Sequence, residues 1–171
     1  MFVGEQPGDR EDREGRPFVG PAGLLLDRAC RGGCRPQPRL CDERGQAFQV
    51  RTAGQTTTAQ APNANEIKIC RRWLFGEIEA VSPRLIVALG ATAAQGLTGR
   101  AIRVQSSRGA VLNAANGSRV FITIHPSALL RLHDEEEKRA GYASFVSDLR
   151  AIGQLIETPT EEARSGVRAI E

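Results

Sequence analysis

Apolar residues recur at helical spacing in two long stretches of the chain. The first begins near Asn65 and stops at Ser82 and Pro83, a pair that ends helices. Its apolar positions are Ile67, Cys70, Leu74, Ile78 and Val81. The second runs from about Asp134 to Ile156 and opens with acidic residues, which the positive end of a helix dipole favours. Its apolar stripe consists of Tyr142, Phe145, Leu149, Ile152 and Ile156. Both stretches are predicted to be amphipathic helices that pack on a core.

Shorter apolar runs predict strands. Arg84 to Leu89 has the apolar character of a strand buried in a parallel sheet, and Gly90 ends it before a helix from Ala91 to Leu97. A hairpin is predicted next, because Asn-Gly dipeptides favour two-residue turns between paired strands. The hairpin comprises Gly109 to Leu112, the turn Asn116-Gly117 and Arg119 to Ile124.

The N-terminal part is predicted to hold one strand, one loop and one helix. Met1 to Val3 has the character of a buried strand, and a core strand rarely starts at an initiating Met, so we expect an N-terminal truncation. The charged run Asp9 to Arg16 is predicted to be a solvated loop, and Pro21 to Ala29 a helix. The residues of this helix that can face the core are Leu24, Leu25 and Ala29.

The order of these elements indicates an α/β fold, namely a three-layer α/β/α arrangement around a mostly parallel central sheet. A chain of 171 residues is expected to form one domain, here residues 1–156, followed by a polar, disordered tail over residues 157–171. The net charge of +3 suits a polyanionic partner without requiring one. Because the chain has neither a membrane-spanning apolar stretch nor a signal-peptide layout, we expect a soluble, cytoplasmic protein without membrane contact.

Two glycine- and proline-rich motifs lie at the ends of predicted strands. Residues 4–9 are GEQPGD and lead to PFVGPAG at 17–23, a loop whose bare backbone N–H groups can face an anion or a carbonyl. Residues 124–131 are IHPSALLR, which puts a histidine at a strand end before a helix start. With CRRWL at 70–74 and LGATAA at 89–94, these blocks resemble the uracil-DNA glycosylase superfamily, specifically family 4 and its UdgX-type branch.

The resemblance implies a base-excision-repair enzyme that excises or covalently traps uracil in DNA. We expect a monomer. It implies that Phe18 stacks on uracil and that His125 donates a hydrogen bond to uracil O2 as the base leaves. It further implies that Gln6, Gly4 and Gly8 approach the base edge. Asp9 and Glu5 are carboxylates that could position water or stabilise a cationic sugar. The segment that would enter the minor groove contains Ser127, Leu129, Leu130 and Arg131.

Each of these residues also has an ordinary structural interpretation. A phenylalanine beside a glycine-rich loop is usually a core residue, and a histidine before Pro126 can simply cap the following helix. The two leucines can be core residues at a helix start, and loop carboxylates are often solvated. His133 lies between Leu132 and the acidic Asp134 and Glu135, and it is predicted to be at the surface. Arg108 is a second candidate for a phosphate contact, on a motif of low specificity.

The cysteines are expected to bind no metal cluster. Members of family 4 and the UdgX-type branch hold a [4Fe–4S] cluster, and only Cys70 matches one of the ligand positions that the resemblance implies. The remaining cysteines are Cys30, Cys34 and Cys41. Their spacing fits neither a zinc CxxC pair nor a ferredoxin run.

The segment from Cys30 to about Ala61 contradicts the rest of the chain. It predicts no helix and no convincing strand, although the fold needs a strand there. Reading the implied codons one nucleotide later allows Val-Thr-Asn, and then Lys-Arg-Arg-x-His with its histidine at Ala59, which are the motifs that the UdgX-type branch has in this region. We therefore expect an out-of-frame segment, with a divergent natural loop as the alternative. An inactive, frame-disrupted remnant that binds DNA weakly is then the alternative to an active glycosylase.

Overall fold

A computed structural model describes residues 1–5, 7–33, 48–49 and 64–157 of the chain. The strands found there are β1 (Phe2–Gly4), β2 (Phe48–Gln49), β3 (Ile86–Leu89), β4 (Val111–Asn113) and β5 (Arg119–Thr123). The helices are α1 (Asp9–Glu14), α2 (Pro21–Gly33), α3 (Ala64–Val81), α4 (Ala91–Thr98), α5 (Val104–Ser107), α6 (Pro126–Leu130) and α7 (Glu135–Glu157).

The strands form one sheet in the order β2-β1-β3-β5-β4. All neighbouring strands are parallel except β4 and β5, which form the predicted antiparallel hairpin. The register aligns Val3 with Ala88 and Ala88 with Ile122. The carboxyl ends of β1, β3 and β5 therefore meet at one edge of the sheet.

The two faces of the sheet pack on two apolar clusters, because successive strand residues point to opposite sides. Phe2, Val87 and Phe121 belong to the cluster that holds the buried residues of α2 and α7. Val3, Ala88 and Ile122 belong to the cluster that holds Leu74 and Ile78 of α3 and the buried apolar residues of α4. This confirms the predicted α/β fold with helices on both faces of a mostly parallel sheet.

The two amphipathic helices are confirmed as α3 and α7. On α7, Phe145, Leu149 and Ile152 are buried, as the apolar stripe predicted. On α3, the first four apolar positions are buried, whereas Val81 in its last turn is 38% exposed. No helix in the described ranges has the length and apolarity needed to cross a membrane.

Three local predictions in the N-terminal part are wrong. The charged run after Gly8 forms α1 instead of a solvated loop, and it buries Glu11. Helix α2 continues beyond Ala29 to Gly33 and buries Cys30 in the core. On the same helix Leu24 was predicted to face the core but is 59% exposed. Leu26 occupies the core position instead.

The hairpin turn is one residue longer than predicted. Ala114 N–H donates to Ser118 O, so residues 115–117 form a three-residue loop. Gly117 adopts a φ of +85° at its end, the left-handed conformation that such loops require and that glycine tolerates. Because Ala114 and Ser118 still pair, the two-residue turn at Asn116-Gly117 does not form.

The segment from Cys30 to about Ala61 is described only at residues 30–33 and 48–49. Strand β2 pairs with β1 through Phe48 and Gln49, so this part of the chain supplies a short edge strand that its sequence did not predict. Strand β3 lies between β1 and β5 in the sheet, so β2 is not its neighbour. The frame hypothesis otherwise concerns residues outside the described ranges, as does the predicted tail after residue 157, and both stay predictions.

Candidate active site

The site lies where the carboxyl ends of β1, β3 and β5 meet. Glu5 follows β1, Gly90 follows β3, and His125 lies two residues after β5. A Cβ atom on Gly90 would lie 2.5 Å from Glu5 Oε1 and 3.1 Å from the Cβ of His125. Gly90 also has a φ of +92°, so a side chain here would be both strained and in collision. The glycine therefore leaves room for the Glu5 carboxylate and the Cβ of His125 to lie close to the backbone here.

The imidazole of His125 is held by the start of α6. His125 is the N-cap of this helix, and Ser127 N–H donates to its Nδ1 at 3.2 Å. The Ser127 hydroxyl lies 2.7 Å from the same nitrogen. Since Nδ1 accepts, the ring proton is assigned to Nε2. Nε2 is buried and has no hydrogen-bond partner among the described residues.

His125 is neutral at physiological pH. Burial and, to a smaller extent, the nearby Arg131 guanidinium together lower the pKa of His125 to about 4, against the opposing influence of the Glu11 carboxylate. The histidine therefore caps the helix, as its ordinary interpretation had it, and at the same time presents a neutral, unsatisfied N–H donor. The two interpretations of this residue are compatible.

Glu5 caps the neighbouring helix α4. The N-cap residue of α4 is Gly90, which has no side chain to offer, and Glu5 accepts a hydrogen bond from the Thr92 backbone instead. Burial raises the pKa of Glu5, against the opposing influences of Arg131 and the Thr92 hydrogen bond. The carboxylate thus has a structural partner in addition to its place beside His125.

Glu11 is the buried carboxylate that the sequence interpretation missed. Its side chain is only 7% exposed, and its Oε1 accepts from Gly20 N–H at 2.8 Å. The signal that could have indicated it is the run of acidic residues directly after Gly8, since acidic first turns mark helix starts. Through Glu11, α1 contacts the loop that carries Phe18.

Phe18 lies in a strained loop beside this contact. Its φ is +54°, a left-handed conformation that bulky residues rarely adopt and that is concentrated at functional sites. A Cβ on Gly23 would lie 1.8 Å from Phe18 O, so Gly23 is required for the loop to pack on α2. The partly buried ring packs against the apolar cluster that includes Ile124 and Leu129. Phe18 and the histidine segment therefore share one cluster.

The candidate DNA-contact residues separate into two groups. Leu129 is 6% exposed and belongs to the core, whereas Leu130 is 46% exposed. Arg131 is exposed at the end of α6, and Ser127 is engaged with His125. Leu130 and Arg131 thus keep the exposure that a groove contact requires, and Leu129 has the core role of the ordinary interpretation.

Arg108 has a structural partner. Its Nε donates to Asp148 Oδ2 at 2.7 Å, and Thr123 Oγ1 donates to the same oxygen at 2.5 Å. The Arg108 side chain is only 21% exposed in this ion pair. This geometry argues for a role in tying α7 to β5, and a phosphate contact by Arg108 stays a prediction.

The remaining predicted site residues occupy the first motif. Gly4 is buried as the last residue of β1, and Gly8 precedes α1 as its N-cap. Asp9 is exposed at the first position of α1. Gln6 lies outside the described residues.

The described residues do not fit the iron–sulfur cluster that the resemblance implies. Cys70 is buried on α3. Within the ranges that the structure describes, no group of three or more histidine, cysteine or acidic residues could hold a metal ion. Cys34 and Cys41 lie outside those ranges.

Comparison with known proteins agrees with the family resemblance of the sequence motifs. The model of the uracil DNA glycosylase superfamily matches residues 1–150. A type-4 uracil-DNA glycosylase of Thermotoga maritima is 37% identical over 142 residues, which cover 81% of this chain and 70% of that protein. A type-4 enzyme of Pyrobaculum aerophilum is 35% identical over 139 residues, 77% of this chain and 67% of its own. A type-5 uracil-DNA glycosylase of the same organism is 43% identical over 140 residues, 75% and 61% respectively. With most of its length matched by the superfamily model and by type-4 members, this chain belongs to the uracil-DNA glycosylase superfamily and resembles its type-4 family.

Proposed function

We propose that this protein excises uracil from DNA by hydrolysing the N-glycosidic bond. The observation that carries the proposal is the buried Nε2–H of His125, which has no hydrogen-bond partner among the described residues. As the glycosidic bond breaks, uracil departs with negative charge on its O2 atom. An N–H donor that is already oriented and shielded from water stabilises that charge more than it stabilises the neutral base.

A neutral histidine suits this task. Because burial lowers the pKa of His125 to about 4, the ring donates a hydrogen bond without carrying a charge that would have to be desolvated. The backbone N–H and the hydroxyl of Ser127 both contact Nδ1 of His125. These contacts keep the ring proton on Nε2, the nitrogen assigned to the base. The ring is therefore pre-organised before uracil enters.

We assign the contacts with the base and the sugar to the GEQPGD and PFVGPAG blocks. Uracil, flipped out of the duplex, stacks on Phe18, while the backbone around Gly4 and Gly8 and the side chain of Gln6 approach its edge. Asp9, exposed at the start of α1, positions the attacking water. Glu5, whose carboxylate lies beside Gly90 as His125 does, is assigned to oppose the charge on the cationic sugar.

The DNA around the flipped nucleotide is assigned to α6. Leu130 is the exposed apolar residue that would fill the gap in the base stack, and Arg131 follows it at the helix end, where it can contact a phosphate. Uracil-containing DNA is accordingly the proposed partner.

The test is uracil release from a labelled oligonucleotide that contains one deoxyuridine, with a thymidine oligonucleotide as its control. We expect free uracil and an alkali-labile site from the wild-type protein. We expect a loss of about 10²–10³-fold in single-turnover rate for His125→Ala, the usual effect of removing one such donor. Equal rates for the two proteins would contradict the assignment of His125.

Covalent trapping is not proposed for this polypeptide. In the UdgX-type branch that the sequence resembles, the residue at the position of Ala59 is a histidine that bonds to the sugar, and alanine has no nucleophilic atom. Reaction with uracil-DNA should therefore leave no protein–DNA band after denaturing electrophoresis. Such a band would show that another nucleophile acts.

The second candidate function is that of an inactive remnant that binds DNA weakly. It is favoured by the segment from Cys30 to about Ala61, whose sequence lacks the motifs of the resembling branch. The coding DNA tests the frame hypothesis directly, because its next reading frame must encode Val-Thr-Asn and Lys-Arg-Arg-x-His. Cooperative melting together with release of uracil would rule out the hypothesis of an inactive remnant.

A further inference from the structure

The structure assigns to Glu11 the role of a positioning residue, whose buried carboxylate fixes the Phe18 loop against the glycine loop of the site. This inference rests on the proposed function. Glu11 contacts neither the base nor the sugar. Its charge opposes the lowering of the His125 pKa, and its positioning effect acts through Phe18.

The contacts of the carboxylate join two separate stretches of chain. Oε1 accepts from the backbone N–H of Gly20 at 2.8 Å, in a bond that is buried. Asp12 N–H donates to Gly8 O at 2.9 Å, so the helix that carries Glu11 is itself attached to the glycine loop. One side chain thus connects the end of the GEQPGD motif to the end of the Pro17–Gly20 stretch.

The glycines at these two places are explained by the carboxylate. A Cβ atom on Gly8 would lie 2.9 Å from Glu11 Oε2, and one on Gly20 would lie 3.0 Å from both carboxylate oxygens. Gly8 has a φ of −86°, which any residue adopts, and Gly20 is not among the positive-φ residues. At both positions a side chain would press on the Glu11 carboxylate, and glycine leaves it room.

The consequence falls on Phe18. Phe18, with its strained φ of +54°, lies between Gly15, the C-cap of α1, and Gly20, which directly precedes α2. A strained conformation persists only where its surroundings over-determine it. The Glu11–Gly20 hydrogen bond fixes the second of these anchor points, so losing it allows the Phe18 backbone to relax and move the ring.

The experiment is a double-mutant cycle on uracil excision by the full chain, with Glu11→Ala and Phe18→Ala singly and together. We expect Glu11→Ala to lower kcat/KM by about 10–100-fold, the scale on which a misplaced binding group acts. In the Phe18→Ala background the same change should cost less than about threefold, because it acts through the missing ring. Glu11→Gln keeps an acceptor for Gly20 N–H and should restore activity to within about threefold of wild type. Glu14→Ala, an exposed carboxylate on the same helix, is the matched control.

A readout independent of catalysis separates this inference from the proposed function. Hydrogen exchange at the Gly20 amide should be protected in the wild type and in Glu11→Gln, and unprotected in Glu11→Ala, whether or not uracil is released. Additive losses for Glu11→Ala and Phe18→Ala, or a Gly20 amide equally protected in Glu11→Ala, would overturn the inference. If the wild type releases no uracil, the exchange result alone decides it.

Discussion

Ser127 contacts His125 twice, through its backbone N–H at 3.2 Å and its hydroxyl at 2.7 Å, and both contacts are to Nδ1. A residue that resemblance places in the DNA-binding segment thus also orients the imidazole. Because the backbone contact belongs to the helix cap, the tautomer is determined by the fold of α6 itself.

Replacing Ser127 by Ala should separate these two roles. The substitution removes the hydroxyl and leaves the backbone N–H, so the tautomer is kept while one hydrogen bond to the ring is lost. We expect kcat to fall by about 3–10-fold, the worth of one hydrogen bond of about 1 kcal/mol, with no change in affinity for undamaged DNA. A fall in DNA affinity at constant kcat would assign Ser127 to the groove instead.

The sequence predicted the parts of this fold in which apolar spacing is regular over several turns. Helices α3 and α7 and strand β3 were found close to their predicted bounds, because burial of a long apolar stripe leaves few alternatives. Helix α1 has only six residues, all of them charged, so no apolar stripe reveals it. The burial of Glu11 depends on a backbone N–H nine positions away, which no local pattern encodes.

The candidate site shows the same division. The positions of Glu5 and His125 at strand ends followed from the order of the elements, since the carboxyl ends of parallel strands meet. Which of two adjacent leucines is buried did not follow, because a helix start of five residues leaves its facing to tertiary contacts. Similarly, the position of Arg108 near a loop gave no indication of its ion pair with Asp148.

Acid should destabilise the folded protein through His125. The pKa of this residue is lowered in the folded state from 6.5 to about 4. Between these two pH values the unfolded chain binds a proton at His125 and the folded chain does not. The stabilising contribution is complete above pH 6.5 and is lost as pH falls towards 4, by about 2.5 kcal/mol at pH 4.5. Urea unfolding at pH 7 and pH 4.5 should show a loss larger by roughly this amount in the wild type than in His125→Gln. Equal losses would mean that His125 is protonated normally.

The neighbouring leucines of α6 offer a matched pair of substitutions. Leu129→Ala opens a cavity in the core and should lower the free energy of unfolding by about 2–4 kcal/mol. Leu130→Ala removes an exposed side chain, so stability should change by less than about 0.5 kcal/mol. If Leu130 fills the gap left by a flipped base, excision from duplex DNA should fall much more than excision from single strands. An equal effect on both substrates would remove the wedge role.

Glu5→Gln should reveal the cost of a buried charge. Burial raises the pKa of Glu5, so ionising this carboxyl costs more free energy in the folded state than in the unfolded chain, and the stability it contributes is lost as pH rises through that raised pKa. Glutamine resembles the protonated form and can still accept from the Thr92 backbone. The variant should therefore melt at a higher temperature than the wild type at pH 8, with the difference shrinking as pH falls. A variant that is less stable at pH 8 would show that the attraction of Arg131 outweighs burial.

The most direct test of the account is the single-turnover rate of uracil release between pH 6 and pH 9, for the wild type and His125→Ala. A neutral Nε2–H donor predicts that the histidine causes no loss of wild-type rate as pH rises through 6.5, and that His125→Ala is about 10²–10³-fold slower throughout. A wild-type rate that falls tenfold per pH unit above 6.5 would require a protonated imidazole, and a His125→Ala rate equal to that of the wild type would remove the histidine from the reaction. Either result would contradict the mechanism proposed for this site.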